Sequence, residues 1–264
     1  MRKYGENRPG IRHAGQAACA ATRPEVVFAG STVSDERENA MREVYGCTTI
    51  DQENWKRKRH FELFKNHSFP YVGLTAAIRV ERLLDSCRTA KMKFFHTLLH
   101  FTMRTVNSIE NFRYRILNGE IILFDSLDPG YTVLGEDELF YFAVPTMAPD
   151  LFTFHNASIR AGEKALREKC LDNPRLDVLY ASSAPRVSFT EVMQPLGLSP
   201  DDSIPRIAFG KHHPSDKGTL LPLSIVGHHG LFDGFHIGRL VNELEEAVND
   251  SKELDSVIAA SSQG

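Results

Sequence analysis

The sequence predicts an α/β domain in which helices cover a mixed, largely antiparallel sheet. Helical and strand-like patterns interleave from Asp51 onward. Asn118-Gly119 and Ser215-Asp216-Lys217-Gly218 each separate two apolar runs, as hairpin turns do. With 264 residues, 42% hydrophobic and 25% charged, the chain has the residue usage of an ordinary globular protein.

Residues 1–45 are dominated by Gly, Pro, Ala, Arg and Ser without sustained apolar periodicity, so a disordered or loosely docked arm is expected there. Regular patterning then predicts a helix over Glu53–Lys65, anchored by Trp55, Phe61 and Phe64, and a strand over Tyr71–Val80. Helices follow at Glu81–Ala90 and Phe94–Ser108. The Asn-Gly turn joins strands Phe112–Ile116 and Glu120–Phe124. Strands at Tyr131–Leu134 and Glu138–Val144 precede a helix over Pro149–Cys170. Arg186–Met193, Pro205–His212 and Thr219–Val226 read as strands, and Gly234–Ala247 as the last helix. One domain over 46–250, with 251–264 as a tail, fits this order.

A net charge of −3 offers no basic field to nucleic acid or acidic membranes. No apolar run approaches the roughly 20 residues of a spanning helix, and Ala17–Ala21 is too short and too weakly apolar for a signal sequence. Four scattered cysteines, Cys19, Cys47, Cys87 and Cys170, form no C-x-x-C pair, so reduced thiols in a cytoplasmic protein are expected.

The densest chemistry lies in Val226-Gly227-His228-His229-Gly230-Leu231-Phe232-Asp233-Gly234-Phe235-His236. A strong strand runs into two histidines and then an Asp-Gly that opens a helix, a rigid mount for a group that exchanges protons near neutral pH. Asp233 also fits a plain N-cap, and the histidines fit satisfied polar residues at a strand end. A metal site on His228, His229 and His236 lacks zinc-like spacing, so no metal is expected. The basic run Trp55-Lys56-Arg57-Lys58-Arg59-His60-Phe61-Glu62 reads as a solvated helix face, or as the source of a cation for a distant buried carboxylate.

Together these stretches resemble the chloramphenicol acetyltransferase family. That family carries a Trp-x-Arg-Lys-x-His-Phe-Glu run near its start and His-His-x-x-x-Asp-Gly-Phe-His near its end. Between them, Lys93-Phe94-Phe95, Phe112-Arg113, Asp125-Ser126, Asp128-Pro129, Tyr131-Thr132-Val133, Val187-Ser188-Phe189-Thr190 and Leu221-Pro222-Leu223-Ser224 keep the family order, so the resemblance spans roughly 45–250.

The resemblance implies a single-domain two-layer sandwich and an acetyl-CoA-dependent O-acetyltransferase acting on a hydroxyl of chloramphenicol or a similar small acceptor. It implies His229 as general base, Asp233 and its partner Arg57 as supports, and a homotrimer with sites between subunits. By the same resemblance Phe64, Tyr71, Phe189 and Thr190 would contact the acceptor, and Lys211 and His212 the CoA. Aligned without a gap, the serine that steadies the oxyanion in the family is replaced here by Glu191, an ionised group that would repel the oxyanion, whereas a one-residue strand slip would present Thr190 instead. Ala208 replaces a family threonine, and Phe69-Pro70-Tyr71-Val72-Gly73 is shorter than in drug-modifying members. These departures leave two alternatives open: another acceptor or acyl-CoA, or a catalytically impaired trimer that binds drug or CoA.

Overall fold

A computed structural model describes residues 46–171, 175–197, 199, 201–250, 252 and 254–256. The expected N-terminal arm and most of the C-terminal tail lie outside them. The strands are β1 (Cys47–Thr49), β2 (Tyr71–Arg79), β3 (Tyr114–Leu117), β4 (Glu120–Phe124), β5 (Asp128–Leu134), β6 (Phe140–Ala143), β7 (Val178–Ser183), β8 (Arg206–Phe209), β9 (His213–Ser215) and β10 (Gly218–His228). The helices are α1 (Lys58–Phe64), α2 (Glu81–Thr89), α3 (Phe94–Ser108), α4 (Leu151–Glu168) and α5 (Gly234–Asp250), with a 3₁₀ turn at Glu110–Arg113.

The large sheet has the order β2-β10-β8-β7-β5-β6, with β9 pairing β10. Among the described residues only β5–β7 and β7–β8 pair in parallel; the other ladders are antiparallel. A separate three-stranded sheet, β1-β4-β3, was not foreseen as a distinct unit. Its hairpin turns at Asn118 and Gly119, whose φ values of 52° and 80° are the positive pair that a two-residue turn of this kind requires.

Helices α3, α4 and α5 pack together over the large sheet. The register of α5 shows why: Ile237, Leu240, Leu244 and Val248 recur at helical spacing and are all buried. Helix α4 starts where the Asp150 carboxylate accepts the Thr153 N–H at 2.7 Å, and it ends at Lys169 in the left-handed conformation.

The fully buried Arg115 joins the two sheets. Its guanidinium donates to the carbonyls of Phe112, Tyr114, Leu176 and Val178, and burial pushes it down to about 9.

Three expectations need correction. Arg186–Met193 is not a strand: it joins no ladder, and its sequence neighbour β8 is flanked by β7 and β10. Instead the Val187 N–H turns back to Ala184 and the Val187 carbonyl accepts the Lys211 N–H. Helix α1 is confined to Lys58–Phe64, because the Asp51 side chain accepts the Glu53 N–H and the Asn54 amide and holds the preceding residues in turns. Cys47 and Cys87 are buried, but Cys170 is disulfide-bonded, against the expectation of a reduced thiol. Strands β1 and β7 were not foreseen; the inner strand β7 is mostly buried and shows no polar alternation. Among the described residues no helix is long and apolar enough to cross a membrane.

Burial pushes His96, His100 and His228 each down to about 4, with neighbouring His155, Arg104 and His229 adding repulsion in turn. In the unfolded chain a histidine titrates near 6.5. The native state therefore binds fewer protons between these values, and stability should fall as pH drops from about 6.5 towards 4. The urea midpoint is expected to be lower at pH 4.5 than at pH 7.5; equal midpoints would contradict this burial.

Candidate active site

Strand β10 delivers the two histidines. It pairs β2 along its length and ends with His228 opposite Tyr71. The chain then turns through 229–232 into α5. Gly227 makes the turn possible, since a Cβ there would lie 2.5 Å from the Phe232 ring.

Every peptide group of the turn is hydrogen-bonded. The His229 N–H donates to the Pro70 carbonyl at 2.8 Å, and the His229 carbonyl accepts from Arg57 Nη2 at 3.2 Å. The Gly230 N–H donates to His228 Nδ1 at 3.1 Å, and the Gly230 carbonyl accepts from Arg57 Nε at 3.2 Å. The N–H groups of Leu231 and Phe232 both donate to the His228 carbonyl. The Leu231 carbonyl accepts from Asn111 Nδ2 at 2.9 Å.

The Phe232 carbonyl lies 3.2 Å from His229 Nδ1. A carbonyl only accepts, so Nδ1 carries the proton and Nε2 keeps its lone pair. The imidazole is stacked on Phe64, with centroids 4.1 Å apart and planes 20° from parallel.

Asp233 closes the clamp. Oδ2 accepts from Arg57 Nη1 at 2.9 Å, and Oδ1 accepts from the Phe235 N–H at 3.1 Å and lies 2.9 Å from His236 Nδ1. Both sequence readings of Asp233 hold: it caps a helix and pairs with a cation 176 residues away. Burial opposes its ionisation, but hydrogen bonds from Arg57 and His236 and their charge hold the carboxyl at about 2.

The other predicted residues form a second group. The Phe189 ring lies about 3 Å from where a Gly210 Cβ would sit, beside Pro222. Thr190, Glu191, Lys211 and His212 are exposed nearby, with the His212 ring 6.1 Å from that of Phe94. Pro222 and His228 are six residues apart on β10, which at roughly 3.3 Å per residue is about 20 Å. The structure thus joins His229, Arg57, Asp233 and Phe64, and leaves Phe189, Lys211 and His212 apart from them within one chain, with Thr190 and Glu191 following Phe189 as exposed residues. Tyr71 borders the first group through His228, and its hydroxyl donates to the Gly197 carbonyl at 3.0 Å.

Asn111 and the ring of His228 were not foreseen as parts of the turn. Nothing in the sequence marks Asn111, which reaches the turn from the 3₁₀ segment 120 residues earlier. His236 stands inside the motif, but its partner was not foreseen. Among the described residues no group of three or more His, Cys, Asp or Glu is placed to hold a metal.

The family model described as chloramphenicol acetyltransferase matches residues 45–245. A chloramphenicol acetyltransferase of Klebsiella sp is 28% identical over 208 residues, covering 78% of this chain and 95% of that protein. One of Clostridium perfringens is 29% identical over 206 residues, covering 76% and 97%. A solved structure of a chloramphenicol acetyltransferase superposes with a TM-score of 0.68 at 23% identity, covering 76% of this chain and 99% of that one.

Proposed function

The chain belongs to the chloramphenicol acetyltransferase family of acyltransferases, and from that premise we propose that it is an acetyl-CoA-dependent O-acetyltransferase with His229 as general base. Its acceptor is a hydroxyl of chloramphenicol or of a similar small molecule. The observation that carries this reading is the His229 ring: Nδ1 is committed to the Phe232 carbonyl, which leaves Nε2 as a lone-pair base on a backbone with no unsatisfied peptide group.

Nε2 takes the acceptor's hydroxyl proton as that oxygen attacks the thioester carbonyl. When the carbon–sulfur bond breaks, the imidazolium returns the proton to the departing thiolate, giving an acetyl ester and free CoA thiol. Asp233 and Arg57 hold the ring in place and take no proton. The roughly 20 Å between the two residue groups supports a homotrimer in which His229 of one copy faces Phe189, Thr190 and Glu191 of the next. Lys211 and His212 lie beside those residues and would meet the CoA. The enzyme would work in the cytoplasm.

Glu191 favours a second reading, with a different acceptor. A carboxylate there would repel the oxyanion with any acceptor, and an acceptor bearing a cation would offset that charge where the uncharged chloramphenicol would not. Purified protein is expected to release thiol from acetyl-CoA only when a hydroxyl acceptor is added. A panel containing chloramphenicol and amino alcohols decides between the readings, and no release with any acceptor would overturn both. Glu191→Ser is expected to raise kcat with chloramphenicol by roughly 10- to 100-fold. An unchanged kcat would remove Glu191 from the site.

A further inference from the structure

We propose that His228 is a positioning residue for the base: its neutral ring accepts the Gly230 N–H at Nδ1 and fixes the backbone from which His229 projects. The proposal rests on the general-base reading above and adds a residue to it. His228 is completely buried, and its Nδ1 lies 3.1 Å from the Gly230 nitrogen. The fit is close on all sides. A Cβ on residue 230 would lie 3.0 Å from His228 Cε1, 3.1 Å from Nδ1 and 3.1 Å from the Phe61 Cα, so only glycine brings its peptide this near the ring.

Gly230 is therefore gripped from both ends, its N–H by His228 and its carbonyl by Arg57. That peptide directly follows His229, so its orientation sets where the imidazole points. Because Nδ1 accepts, Nε2 of His228 must carry the proton. That Nε2 is buried without a hydrogen-bond partner among the described residues. A leucine or phenylalanine would avoid this cost, so packing alone gives no reason for a histidine here. The surrounding rings of Phe61 and Tyr71, at 6.2 and 6.1 Å, favour the neutral form, and Asp202 and His229 are the nearby titratable groups. The adjacent histidines thus hold opposite tautomers, Nε2–H in His228 and Nδ1–H in His229.

His228→Asn and His228→Leu are close in size, but only asparagine can place an acceptor near the Nδ1 position. Two readouts separate positioning from space filling: kcat with the KM for acetyl-CoA, and the His229 tautomer read from ring nitrogen shifts in histidine-labelled protein, assigned by loss of the signal in His229→Ala. H228L is expected to lose about 100-fold in kcat with KM within about threefold, and to lose the single Nδ1–H tautomer of His229. H228N is expected to recover most of the lost rate and the tautomer. If H228L does not fold, His228→Ala takes its place beside H228N.

Equal impairment of both variants with the His229 tautomer unchanged would overturn the proposal, and so would wild-type rates in H228L. If the wild-type protein acylates no acceptor yet H228L scrambles the tautomer and H228N restores it, the assigned function falls and the positioning role stands.

Discussion

Replacing His229 with alanine is expected to lower kcat for acyl transfer by about 1,000-fold or more, while the protein stays folded. General bases typically contribute about 100- to 10,000-fold. The selectivity of the loss follows from the turn's construction. The backbone N–H and carbonyl of His229 bond Pro70 and Arg57, and alanine keeps both. The side chain's hydrogen bond to the Phe232 carbonyl is lost, which costs about 1 kcal/mol of stability. Initial rates and a thermal melt measured together check this. A large drop in Tm with the rate loss would mean that the ring holds the turn instead of acting from it.

Arg57→Ala is expected to damage both properties at once. One guanidinium bonds the His229 carbonyl, the Gly230 carbonyl and the Asp233 carboxylate, and its side chain is only 12% exposed. Removing it strands two carbonyls and a carboxylate, a loss of about 2–4 kcal/mol. A freed turn lets the imidazole shift, and misplacement by about 1 Å costs on the order of 100-fold in rate. Arg57→Lys should rescue little. An ammonium keeps the charge beside Asp233 but lacks the planar fork that reaches three acceptors in different directions. Asp233→Asn should be milder, since an amide oxygen can still cap Phe235. Urea melts and kcat for the three variants check the order Arg57→Ala, Arg57→Lys, Asp233→Asn from most to least damaging. Full activity in Arg57→Lys would show that charge alone matters.

How much of this was legible in the sequence depended on whether a feature was local. The Asn118-Gly119 hairpin, the heptad-like stripe of α5 and the strand feeding His228 each announce themselves within about ten residues, because turn chemistry and apolar period act locally. Strand β7 escaped because a strand buried between two parallel neighbours has no polar face to alternate with. The segment 186–193 has a strand-like composition, but a strand needs a partner to pair with, and which strands lie beside it only the folded topology reveals. In the site, His229 and Asp233 stand out as a motif. The basic run offered a cation to some distant carboxylate, but that Arg57 meets Asp233, 176 residues on, came only from the resemblance. Asn111 was illegible, because a single amide that satisfies one carbonyl leaves no pattern in the sequence.

Proton removal from an alcohol by the His229 imidazole, as that alcohol is acylated, leaves its mark in the mass of the product. Wild-type protein and His229→Ala are incubated in parallel with acetyl-CoA and chloramphenicol, with an amino alcohol as second acceptor. The wild-type protein is expected to give an O-acetyl ester of at least one acceptor, and the variant none above background. Ester formed at the same rate by both would contradict it.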